Sequence, residues 1–82
     1  MVELTERAME ALLAADAAAR RFNPDARIRI VGEGASVRAE LAEGPAPGDE
    51  SLDLGGLRLF VAEGVVGVID AGDHNELTLR PS

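Results

Sequence analysis

Apolar residues recur at Leu4, Ala8, Leu12, Ala15, Ala19 and Phe22, a spacing of three and four that draws one stripe along a helix. Thr5 suits the N-cap, Glu6 favours the positive end of the helix dipole, and Leu4 with Met9 has the spacing of a hydrophobic staple. Alanine content raises helix propensity, Asp16 and Arg20 form an i,i+4 pair, and Arg20 and Arg21 suit the C-terminal turn. Asn23-Pro24 then stops the helix. The opening MVELTERAME reads as a helix start, because it lacks the basic and apolar regions of a secretory signal.

From Arg27 the period falls from 3.6 to 2. Ile28 and Ile30 alternate with Arg27 and Arg29, and Val37, Ala39 and Leu41 alternate with Arg38 and Glu40. A hairpin that pairs Ile30 with Val37 and Ile28 with Ala39 keeps the apolar side chains on one face and leaves Gly32, Glu33, Gly34 and Ala35 as the loop. That register sets Arg27 opposite Glu40 and Arg29 opposite Arg38, a like-charge pair that calls for an acidic neighbour. The segment GPAPGD, residues 44–49, is turn chemistry, and Ser51 to Leu54 follows as a short strand. After Gly55-Gly56, Leu57, Leu59 and Val61 alternate with Arg58 and Glu63, with Phe60 falling on the polar face. Val65, Val66, Val68 and Ile69 present apolar groups on both sides, so this segment is either covered twice or offers a patch to a partner. Asp70 to Asn75 reads as a turn, and Leu77 and Leu79 mark a last strand before Pro81 and Ser82. The expected class is α+β, mostly β: one N-terminal helix packed on short mixed or antiparallel strands in a single domain over residues 1–82.

Composition narrows the functions open to such a domain. A chain of 82 residues buries only about 60 to 65% of its unfolded surface, so self-association would usefully extend its core. With no cysteine, disulfides, thiolate nucleophiles and cysteine-ligated metal sites are excluded. Eight basic against fifteen acidic residues give a net charge of −7, a field that repels nucleic acid and anionic membranes. No apolar run approaches the ~20 residues of a membrane span, and a cytoplasmic location is the expectation.

The helix, hairpin, proline-rich turn, double glycine and terminal strand occur in one order with recognisable local sequences. These are Leu4-Thr5 and Ala8; RIRI from Arg27; Glu40-Leu41 followed by Pro45-Ala46-Pro47-Gly48-Asp49; Gly56-Leu57-Arg58-Leu59-Phe60-Val61; Ile69-Asp70-Ala71-Gly72; and Leu77-Thr78-Leu79-Arg80-Pro81. Together they resemble the HesB-like domains, the A-type iron–sulfur carriers, over nearly the whole chain. The resemblance implies a β-sandwich-like arrangement of short strands with one N-terminal helix. It also implies cluster or iron binding through a cysteine in the glycine-rich loop and a Cys-Gly-Cys after the last strand. Here the loop is Gly32-Glu33-Gly34-Ala35-Ser36 and cysteine is absent, and serine or carboxylate substitutes poorly for thiolate on sulfide-bridged iron. No ligand residue carries over, and no cofactor is expected.

Other candidates come from residue type alone. Asp70, Asp73, His74 and Glu76 cluster in one turn and include the only histidine, as a hard or borderline metal site would require, or as an ordinary solvated turn would. Ser36, Asp73 and His74 supply hydrolase residue types without the G-x-S-x-G elbow. Gly32-x-Gly34 departs from G-x-G-x-x-G at Val37, and the chain has no lysine for a P-loop. Arg27, Arg29, Arg38, Arg58 and Arg80 lie at outward phase on strands; Arg29 and Arg38 are the anion-binding candidates, against the alternative that they pair with acids or blunt strand edges. Phe60, Val65, Val66 and Val68 either lie beneath the helix or contribute to a homo-oligomer interface. The expected function is a non-catalytic, cysteine-free HesB-like interaction domain, with iron–sulfur assembly proteins or a second copy as partners. The alternative is a binding module for a small anion or a hard metal ion.

Overall fold

A computed structural model describes residues 2–74 and 76–81 of the chain, so Asn75 at the end of the expected turn, and Ser82, lie outside the described residues. Helix α1 (Glu6–Phe22) opens on Thr5, whose hydroxyl accepts a hydrogen bond from the Ala8 amide at 3.2 Å, and closes on extended Asn23. Cap, dipole charges and breaker thus act where the sequence places them. The residues before the helix differ from expectation: Val2–Leu4 is strand β1, not a helical lead-in. It pairs in parallel with β6 (Gly67–Ala71), Val2 with Gly67 and Leu4 with Ile69, and the Thr5 amide extends the ladder to the Ile69 carbonyl at 3.0 Å. Leu4 and Met9 both pack against the core, as a staple does.

Among the described residues, seven strands form two mixed sheets. β2 (Arg27–Glu33), β3 (Ser36–Ala42), β4 (Glu50–Leu54) and β5 (Leu57–Val61) make the larger, in the order β3-β2-β5-β4, and β1, β6 and β7 (Leu77–Arg80) make the smaller, in the order β1-β6-β7. The class is α+β, mostly β. β2 and β5 run parallel at the centre of the larger sheet, Ile28 beside Leu59 and Ile30 beside Val61. Residues 57, 59 and 61 are buried and residue 58 exposed, the alternation expected of a sheet with one face on the core. Ile28, Ile30, Leu57, Leu59, Val61 and Ile69 are the largest fully buried side chains, capped by Ala8 and Leu12 of the helix.

The hairpin register is corrected by two residues. Ile30 lies opposite Ala39, Ile28 opposite Leu41 and Gly32 opposite Val37, so the strands run through Glu33 and restart at Ser36. The expected loop of Gly32 to Ala35 is a two-residue turn, Gly34-Ala35, with Gly34 at φ 61°. A positive φ at a tight hairpin turn is where glycine belongs. The shift puts Arg29 opposite Glu40 and Arg38 opposite Val31, and so removes the expected arginine–arginine clash.

The double-faced run is also resolved. Val65 joins the core beside Gly32 and Ile69 is fully buried, whereas Phe60 lies half-buried between Arg29 and Ser51 on neighbouring strands and Val66 is exposed. Phe60, Val65 and Val66 do not form one face beneath the helix. Among the described residues no helix is long and apolar enough to cross a membrane.

Candidate functional site

Helix α1 leans on β6, β2 and β5, and β7 lies beside β3 near Ser36, which leaves the Ala39–Leu41 end of β3 without a lid. Between them lies an open groove of about 400 Å³, walled by Ala15, Ala18 and Phe22 on the helix and by Ile28, Ala39 and Leu41 on the hairpin. It is apolar almost throughout, with Glu40 as its one charged lining residue. Smaller concavities continue it past Ala11, Ala14 and Leu77 at one end and past Asn23, Ala26 and Glu43 at the other. Phe22 is 92% exposed and Leu41 62% exposed. These two residues correct the sequence reading, which counted Phe22 in the helix's buried stripe and Leu41 on the hairpin's buried face. Both are at the expected phase, but the helix ends at Phe22, and β7 lies against β3 near Ser36 rather than at its Leu41 end, so phase does not become burial there. Contiguous exposed apolar surface on a small domain signals an interaction site more often than a defect.

The arginines are engaged internally. Arg29 donates from Nε and Nη2 to the two carboxylate oxygens of Asp49 at 2.7 and 2.9 Å, and from Nη1 to Glu40 at 2.9 Å. Asp49 also accepts from the Ala46 amide at 2.8 Å, which ties the proline-rich turn to β2. The hydrogen bond from Arg29, helped by the Ala46 amide, holds the Asp49 carboxyl below its ordinary range; in turn Asp49 and then Glu40 raise the Arg29 pKa. Arg38 lies 3.5 Å from Glu33 and 3.7 Å from Glu40. Arg58 lies 3.7 Å from Asp53, and Arg80 3.4 Å from Asp70. Arg29 and Arg38 therefore meet carboxylates where an anion would have to bind.

The acidic turn is also occupied by its neighbours. Asp70, on β6, accepts from the Thr5 hydroxyl at 2.7 Å and from the Ala71 amide at 2.8 Å, and these bonds hold its carboxyl below the usual range. Asp73 is exposed and pairs with Arg7 at 3.2 Å, and the Glu76 carboxylate accepts from the His74 backbone amide at 2.9 Å. Among the described residues no three His, Cys, Asp or Glu side chains converge as metal ligands would. Ser36 donates to the Leu77 carbonyl at 3.2 Å, and no hydrogen bond among the described residues joins it to Asp73 or His74. One buried ionisable group was not anticipated as such. Asp16 is 2% exposed on the inner side of α1, paired through Oδ2 with Arg20, while its Oδ1 has no hydrogen-bond partner among the described residues.

Compared with family models, with curated proteins and with solved structures, the chain matches none.

Proposed function

We propose that the chain is a non-catalytic protein-interaction domain of HesB-like type, working in the cytoplasm alongside iron–sulfur assembly proteins without holding a cluster itself. The observation that carries this reading is the apolar groove between α1 and β3, with Phe22 and Leu41 at its rim. Removing a side chain of that size from water stabilises a complex by about 1.5–3 kcal/mol, so two rim anchors and the alanine floor between them suffice for a specific contact of moderate strength. The resemblance of the local sequences supports the HesB-like assignment, and the missing thiolates support the absence of a cluster. The turn at the place of the loop cysteine offers Glu33, Gly34, Ala35 and Ser36, none of them a soft ligand. The anion or metal alternative is weaker, because its arginines and acids already neutralise one another.

The test has two parts. Anaerobic reconstitution with iron, sulfide and reductant leaves the protein colourless; a stable chromophore would refute the cluster-free reading. Titration against the purified cysteine desulfurase and scaffold proteins of the source organism shows binding that Phe22→Asp abolishes. Absence of binding to all of them, or binding indifferent to Phe22→Asp, removes the assembly reading.

A further inference from the structure

The face of the larger sheet that turns away from α1 carries two rows of charge in different states. In one row Arg29 stands between Glu40 and Phe60 on neighbouring strands, and its guanidinium is taken up by Asp49 and Glu40. In the next row Arg27 and Arg58 precede the paired Ile28 and Leu59 by one residue each, so they stand side by side on the parallel strands β2 and β5 and share a face. Like charges placed in this way destabilise a strand pair unless something neutralises them. Little in the chain does so. Among the described residues Arg27 makes no ion pair, and it hydrogen-bonds through Nη1 alone, to the Pro24 and Ala26 carbonyls at 3.1 and 2.9 Å. Arg58 lies 3.7 Å from Asp53, too far for a hydrogen bond, and with 70% and 63% of the two side chains exposed, water screens the pair. The two arginines line an open concavity of about 320 Å³ together with Ser51, Phe60 and Asp53. On a chain of net charge −7, two cations here face one acid.

We propose that this concavity binds a small phosphate monoester that carries a planar ring. Two adjacent guanidinium forks offer paired N–H donors to several oxygens at once, which suits a dianionic phosphate better than a carboxylate, whose two oxygens one fork already satisfies. The Ser51 hydroxyl adds a further donor. The volume exceeds what a bare phosphate fills, and half-buried Phe60 supplies apolar surface against which the ring of the ester leaves water. Asp53 opposes the anion, and binding draws Arg58 away from it. The site goes beyond the interaction reading and is independent of it, because the groove lies on the other side of the sheet. It also differs from the Arg29 and Arg38 alternative, whose cations already meet carboxylates.

Titration of the isotope-labelled full chain with phenyl phosphate, inorganic phosphate and phenol, followed by amide chemical shifts slightly above neutral pH where the ester is dianionic, tests the proposal. Phenyl phosphate shifts the amides around Arg27, Ser51, Arg58 and Phe60 saturably and binds several-fold more tightly than inorganic phosphate, while phenol shifts none of them. Arg27→Ala and Arg58→Ala each weaken phenyl phosphate by roughly tenfold or more, the loss of a charge-assisted hydrogen bond. Arg21→Ala, which removes the same charge from the helix, leaves binding unchanged. Asp53→Asn tightens binding several-fold, because it removes the opposing charge and frees Arg58. Arg27 also holds the turn after the helix, so if Arg27→Ala unfolds by circular dichroism, the exposed Arg58→Ala and the gain in Asp53→Asn carry the test. Absence of saturable shifts overturns the proposal, as does binding indifferent to Arg58→Ala or weakened equally by Arg21→Ala, or an Asp53→Asn variant that binds no more tightly. Equal affinity for phenyl phosphate and inorganic phosphate overturns the ligand class. None of these outcomes bears on Phe22-dependent binding to an assembly protein, which tests the interaction reading separately.

Discussion

Gly67 is the position where one added methyl group does most damage. It starts β6, opposite Val2 of β1, at φ 124°, a left-handed conformation that side chains rarely adopt. A Cβ built there would collide with the carbonyl oxygen of Arg80 on β7 and press to 3.3 Å from Leu79 Cδ1. The carbonyl belongs to the backbone, so relief requires β7 to move away from β6 or β6 to rotate out of its ladder with β1. Backbone strain of this kind costs about 1–3 kcal/mol, and overpacking against a fixed neighbour adds about as much again. We therefore expect Gly67→Ala to lose about 4 kcal/mol, a large part of the ~4–12 kcal/mol that a chain of this size commands. Gly34→Ala is the control: its φ of 61° imposes left-handed strain, but a Cβ there meets nothing within 4 Å, so it should cost only about 1–2 kcal/mol. The chain has neither Trp nor Tyr, so far-UV circular dichroism in urea is the suitable readout. At about 4–8 °C per kcal/mol, thermal midpoints should fall by roughly 15–30 °C for Gly67→Ala. Equal losses at the two glycines would show that β7 does not press on Gly67 and would refute the packing of the smaller sheet.

Two further outcomes follow from charges. Arg20→Ala leaves the buried Asp16 carboxylate without its counter-charge and should destabilise by about 1–3 kcal/mol; Arg20→Ala/Asp16→Ala in a double-mutant cycle should recover most of the loss, and additivity would show that the pair is not coupled. Asp49 and Asp70 both have carboxyl pKa values below the ordinary range, so their contribution is complete above the unfolded carboxylate pKa of about 3.9 and is lost as pH falls through the lower folded values. Urea midpoints measured from neutral pH to pH 2 should therefore decline below about pH 4. Asp49→Asn should make that decline shallower while lowering the midpoint at neutral pH, and an unchanged slope would remove the Arg29–Asp49 clamp from the acid response.

Much of the fold is legible from short-range chemistry. Thr5, Glu6 and Asn23 delimit the helix because capping and extended backbone act within a turn or two, and Leu57, Leu59 and Val61 announce a half-buried strand through period alone. The hairpin register is not legible, because Ile30 with Val37 and Ile30 with Ala39 both keep apolar residues on one face. What separates them is the two-residue turn at Gly34 and the Arg29–Glu40–Asp49 cluster, the last member of which is 20 residues from Arg29. Strand β1 is hidden for a similar reason, since three residues carry no period and their partner begins at Gly67. The groove is half legible: the apolar phase of Phe22 and Leu41 is visible, but whether another element covers them depends on where the helix crosses the sheet.

The parallel pairings have a consequence for how the chain is made. β2 must wait for β5, and β1 for β6, so each sheet is joined by contacts between segments distant in the chain, such as Ile28 with Leu59 and Val2 with Gly67. On a ribosome the helix and the β2–β3 hairpin emerge early with their apolar faces bare, and no arrangement of the first 50 residues can cover Ile28 and Ile30 as Leu59 and Val61 do. Folding is thus a late event in translation, and during the interval the β3 edge, which β7 flanks only once the last strand has emerged, is displayed to every neighbouring nascent copy on the message.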